Sequence, residues 1–216
     1  MAADSWSDLG KFNLGVKLNR LFGRLRSAVF GTDPAIKPEH HTVRGFRVAV
    51  ENSRADLSTA AVLERLDEAL ALIETYQPWR LRHMRRDLSG FWIVRYPCRG
   101  AFLPQTRTCL TELTFLARRD ITAVPVASSI LHEGMHARIH AMGAQPATPD
   151  AAREERICRR AELAFGRALP DQLGAPVVAR AEASLELDDG DVAPEIDWQE
   201  ARRRQQAIDA SPNAAE

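Results

Sequence analysis

The 216-residue sequence predicts an α+β domain, mostly helical, with a small β-sheet. Three observations carry this. Apolar residues recur at helical spacing in several long segments. Short aromatic and β-branched runs are confined to residues 46–115. Proline, glycine and acidic clusters stand at the joints.

Taken in order, Phe12 to Phe30 interleaves apolar residues with Lys11, Lys17, Arg20, Arg24 and Arg26, which predicts an amphipathic helix with a basic face. Docking on its own domain is the expected use, and peripheral contact with an anionic membrane is the alternative. Residues 31–43 are rich in turn formers and read as a connector. A strand is expected at Phe46 to Val50. A helix follows from Leu57 or Ser58 to Tyr76, with Ala61, Leu63, Leu66, Leu70 and Ile73 on one face and Pro78 as its stop. Phe91 to Tyr96 and Thr108 to Phe115 read as further strands, joined by a loop around Pro97 to Pro104.

Pro125 is expected to exclude helix upstream of Ser128 or Ser129, which would cap a helix over Ile130 to Met142 that Gly143 stops. Thr148 and Pro149 look like the N-cap and first position of a second helix, running through Phe165 and ending before Pro170. A third helix is expected over 176–187. The acidic run Asp188 to Asp191 breaks it, and Glu195 to Ile208 forms a last helix before a disordered end. The resulting division is an N-terminal segment and connector (1–43), the main domain (44–187), and an acidic linker with a C-terminal helix and tail (188–216).

Composition narrows the function. The 29 basic and 29 acidic residues cancel at pH 7, and the arginine clusters at 80–86 and 202–204 read as solvated helix surfaces, so a nucleic-acid partner is not expected. Cys98, Cys109 and Cys158 are too few and too irregularly spaced for a disulfide framework or a cysteine-based zinc ribbon. The start MAADSWSDLGKF lacks a secretory pattern, and no window approaches eighteen apolar residues; the expected location is the cytoplasm.

The chemistry concentrates at 132–136, His-Glu-Gly-Met-His, within the helical run SSILHEGMHARIHAMG. Histidines four apart project from one helix face and can aim two imidazole nitrogens at one ion. Glu133 points beside that ion, where a carboxylate can take a proton from water and pass it to a leaving amine. A chance match to HExxH is expected in on the order of one per cent of chains of this size and composition. The flanks Ile130, Leu131, Met135, Ile139 and Met142 bury the helix in part, and buried histidines need partners. His140 extends the series, but it stands about 12 Å along the helix from His132, too far to share one ion.

HExxH followed, after eighteen intervening residues, by Glu155 on a second helix resembles the gluzincin metallopeptidases. The likeness spans roughly residues 120–170. It extends to small bacterial gluzincin-like proteins, in which the second helix carries Glu-x-x-Cys and closes on Leu-Pro, matched here by Glu155, Cys158, Leu169 and Pro170. That resemblance implies a zincin-like fold, one Zn²⁺ held by His132, His136 and Glu155, and hydrolysis of a peptide or protein substrate with Glu133 as general base. Glu154 and Glu162 remain alternatives for the third ligand, Glu162 being better suited to support a ligand imidazole. Cys158 reads as core packing. The longer metzincin pattern fails, since Ile139 and Met142 occupy the positions of its glycine and third histidine. Tyr96, Arg99, His140 and Arg159 are candidates to stabilise an oxyanion, and the strands could offer an edge to an extended peptide. The competing reading is a zinc-binding regulatory or interaction module without catalysis.

Overall fold

The computed structural model describes residues 36–143, 150–193 and 197–210, so the basic segment from Phe12 to Phe30 and the Thr148-Pro149 cap lie outside the described residues. The architecture is α+β: helices pack on a five-stranded mixed sheet of order β1-β2-β3-β5-β4. The strands are β1 (Glu39–Val43), β2 (Phe46–Val50), β3 (Gly90–Val94), β4 (Gly100–Leu103) and β5 (Thr108–Glu112). β2, β3 and β5 run parallel, and β1 and β4 form antiparallel edges. The expected strand at Phe46 to Val50 is β2.

Two strands depart from expectation because their signals are weak. β1 lies in the residues read as a connector; it pairs with β2 through the two-residue turn Arg44-Gly45, both at positive φ (45° and 80°). That is the twist-matched hairpin turn, yet Arg-Gly is a poorer marker of it than Asn-Gly. Arg44 is held there by Asp67 (2.9 Å) and Glu74 (2.7 Å) on the following helix. β4 lies in the presumed loop at 97–104. Its four half-buried residues are too few to show alternation.

Helix α1 (Thr59–Tyr76) begins at Ser58, whose hydroxyl accepts the Ala61 N–H. Its stripe Val62, Leu66, Ala69, Leu70 and Ile73 is buried. Pro78 does not simply end it. It opens α2 (Pro78–Asp87) at the first helical position, where a missing N–H costs nothing. β5 stops at Glu112 rather than Phe115, because the Glu112 carboxylate accepts the Phe115 N–H (2.7 Å) and caps a short α3 (Leu113–Ala117).

Helix α4 (Ala123–Ala141) starts seven residues before Ile130. Pro125 falls in its first turn, where backbone N–H groups have no intrahelical acceptor, so the proline is accommodated rather than excluded. Ser128 is therefore not a cap but a fully buried side chain. α4 is the central helix. It packs on α1 and α2, on β4 and β5, and on α5 (Ala151–Ala168). Asp150 caps α5, its carboxylate accepting the Arg153 N–H at 2.9 Å. α6 (Asp171–Leu185) starts five residues earlier than expected and absorbs Pro176. The four-residue α7 (Asp189–Val192) occupies the acidic run read as a breaker, and α8 (Trp198–Asp209) is the last described helix.

α5 and α6 meet through glycine. A Cβ on Gly174 would lie 2.0 Å from the Gly166 carbonyl oxygen, and one on Gly166 would lie 3.1 Å from Val177. Alanine at an ordinary helical glycine stabilises by up to ~1 kcal/mol. Here the sign should reverse: Gly174→Ala is expected to cost about 3 kcal/mol, at the upper end for overpacking. Urea unfolding checks this, and an unchanged midpoint would mean that α5 and α6 do not approach so closely.

Candidate metal centre

α4 is buried on most of its circumference, so its polar side chains must find partners inside the protein. His132 and His136, one turn apart, lean toward the first turns of α5. Their Nε2 atoms are 3.2 Å apart. Glu155 on α5 spans both, with Oε1 3.1 Å from His136 Nε2 and Oε2 3.2 Å from His132 Nε2. Two imidazole nitrogens and the two oxygens of one carboxylate thus lie 3.1 to 3.2 Å from their neighbours. Donors on a tetrahedral zinc with arms of 2.0–2.1 Å would be separated by about 3.3 Å. Two imidazole nitrogens this close cannot both present hydrogens to each other, so the cluster suits a shared cation.

Charge points the same way. Burial alone would lower the pKa of His132, but hydrogen bonds to Glu155 and Glu162 outweigh it and hold the pKa at about 9. Glu155 shows the reverse balance: burial favours its neutral form, and the hydrogen bonds to both histidines override that and lower its pKa. The pair prefers a positive charge between carboxylate and imidazoles, the preference that a divalent cation satisfies.

The other candidates surround this triangle. His132, His136 and Cys158 form a group that could hold a metal ion, with donor atoms all within 4.8 Å of one another. Cys158 is fully buried, and burial followed by the nearby Glu155 pushes its thiol pKa well up. Thiolate ligation would have to overcome that, whereas the Glu155 carboxylate is already ionised and closer. Glu154 stands 3.8 Å from His136 Nδ1, beyond hydrogen-bonding distance.

Glu162, two turns beyond Glu155 on α5, supports the cluster from behind. Its Oε1 is 2.8 Å from His132 Nδ1 and accepts Arg159 at 2.7 Å; its Oε2 accepts Ser128 and Arg180, both at 2.8 Å. Such a carboxylate fixes the imidazole tautomer and aims Nε2 at the ion. Ser128 and Arg180 were missed in the sequence. Nothing in the local pattern marks a helical serine or an arginine 48 residues beyond His132 as neighbours. Glu162→Gln, which keeps size but removes the charge, is expected to weaken zinc binding about 10- to 100-fold. Competition with a chromophoric chelator measures it, and an unchanged affinity would reduce Glu162 to a packing role.

Glu133 is also buried, on the side of α4 that meets β4. The nearby Phe102 backbone N–H favours its ionised form. Gly100 leaves it room, since a Cβ there would stand 3.3 Å from Glu133 Cγ and 3.4 Å from Oε1. Burial raises its pKa, outweighing the opposing pull of His132 and His136. A cavity of about 790 Å³ opens over this face, lined among others by Gly100, Phe102, His132, Glu133, His136 and Glu155. Of the oxyanion candidates, Arg99, His140 and Arg159 line the cavity. Tyr96 does not, and burial raises its pKa to about 12. Among the described residues, no helix is long and apolar enough to cross a membrane.

Compared with protein-family models, curated proteins and solved structures, the chain matches none.

Proposed function

We propose that this protein is a zinc metallopeptidase of gluzincin-like, zincin-type architecture, holding one Zn²⁺ through His132, His136 and Glu155 and cutting peptide bonds with Glu133 as general base. The observation that carries this is the triangle of His132 Nε2, His136 Nε2 and a Glu155 oxygen pair, 3.1 to 3.2 Å on each side, among the residues that line the cavity. Structural zinc sites are closed by four protein ligands, whereas three ligands beside a cavity leave a position for reactants.

A bound zinc ion supplies Lewis acidity, lowering the pKa of water toward neutrality and polarising a carbonyl. The chain's own groups do the rest. Glu133, one residue from His132 and packed against Gly100, accepts a proton from the attacking water as the water oxygen bonds to the carbonyl carbon. As the C–N bond breaks, it returns that proton to the amine nitrogen. Glu162 keeps the His132 ring oriented through Nδ1. β4 is the sheet edge bordering the cavity, and its outer backbone groups suit pairing with an extended peptide.

The purified chain should carry close to one equivalent of zinc, measured by elemental analysis, and should cleave members of a mixed peptide library. Chelation should remove both, and zinc should restore both. Zinc retained with no cleavage of any peptide would favour the regulatory module, and no metal uptake would sink both readings.

A further inference from the structure

We propose that the cavity selects peptides bearing a carboxylate near the cleaved bond, with Arg99 as the recognising residue and Arg159 and Arg180 as its electrostatic support. The inference rests on the peptidase reading and deepens it.

Three guanidinium groups line one cavity: Arg99 immediately before β4, Arg159 on α5 and Arg180 on α6. They come from separate elements, so their convergence is a product of the fold. Arg159 and Arg180 are both engaged by Glu162, yet the Nε of Arg159 is buried with no hydrogen-bond partner among the described residues. Arg99 is exposed, and its guanidinium stands 5.4 Å over the ring of Phe115. Among the described residues it has no carboxylate or carbonyl acceptor. Glu162 pairs with both Arg159 and Arg180, and Glu155 lies 3.8 Å from Arg159, whereas Arg99 has no ion pair among the described residues.

Arg99 is therefore the unpaired charge of the three. Partial desolvation, then repulsion from Arg180, acts against the charge on Arg99; Glu162 offsets part of this, and Arg118 and Arg159 add to it. A planar guanidinium resting on an aromatic face, with its fork of N–H groups free, suits bidentate recognition of a carboxylate. A dianionic phosphate fits less well, because Glu133, Glu154 and Glu155 line the same cavity and would repel the second charge. Peptides offer a carboxylate from two sources, an acidic side chain or a free C-terminus.

The test separates binding from turnover. Zinc-loaded full-length Glu133→Gln protein is titrated calorimetrically with three tetrapeptides: acetylated and amidated with a central Glu, the same with Gln, and the Gln peptide with a free C-terminal carboxylate. One of the two charged peptides should bind about tenfold tighter than the neutral one, and which one identifies the source. Adding Arg99→Gln should reduce the preference to under about threefold, and Arg99→Lys should keep part of it, because a point charge replaces the fork. Equal binding of all three peptides, no binding of any, or a preference that survives Arg99→Gln would each overturn the inference. Wild-type cleavage is assayed in parallel. Carboxylate preference without cleavage would defeat the peptidase reading alone; cleavage without preference would defeat this inference alone.

Discussion

Glu133→Gln is expected to lose peptide hydrolysis by about 10² to 10⁴-fold while keeping its zinc. Glutamine matches the size of glutamate and can still fill the space that Gly100 leaves for the side chain against β4. It cannot accept a proton from water. Glu133 also takes no part in the triangle of His132, His136 and Glu155, so metal content and the unfolding midpoint should stay near wild type. The informative measurement is kcat on a cleaved peptide beside zinc stoichiometry on the same sample. Undiminished hydrolysis would point to a contaminating protease, and lost zinc would make Glu133 a structural group.

Glu155→Ala should weaken zinc by more than about 100-fold, beyond the 10- to 100-fold typical of outer-shell partners. Its two oxygens are the carboxylate atoms closest to both Nε2 nitrogens, and removing them leaves two imidazoles to hold the ion. Glu154→Ala should change affinity only a few-fold, since its carboxylate stands 3.8 Å from the outer nitrogen of His136. Cys158→Ser should also bind nearly as well as wild type. A chelator-competition titration of the three variants ranks them. If Cys158→Ser proves worse than Glu155→Ala, the thiol within 4.8 Å of both histidines is the third ligand.

The side chains of the candidate metal site were more legible in the sequence than the fold that carries them. HExxH sets two histidines on one helix face by the helical repeat alone, and Glu155 comes near them because α5 packs back on α4. Helix α1 was readable too: its cap Ser58, its end at Tyr76 and the buried Leu66, Leu70 and Ile73 all lie where the pattern puts them, and Val62 and Ala69 join that face. What local pattern missed was tertiary in origin. Pro125 is a breaker in mid-helix but harmless in a first turn, and its sequence does not say which applies. β4 is short, half-buried and held by β5, so its identity as a strand comes from its partner. Ser128 joins the site because α5 brings Glu162 to it, and Arg180 because α6 packs beside both helices, distance relations no periodicity encodes.

The ion pairs of Asp209 carry a consequence for the order in which the molecule assembles. This residue, at the end of α8, meets Arg54, 155 positions earlier, and Arg95, 114 positions earlier, at the sheet end where Arg95 also pairs with Glu112 and Thr114. Contacts of such long sequence separation demand loop closure before they return any stabilisation, which places them late on a folding pathway. During synthesis, Arg95 and Glu112 can find each other long before Asp209 leaves the ribosome. The sheet end is therefore built in two stages, with the local pair first and the clasp from the last helix closing over it.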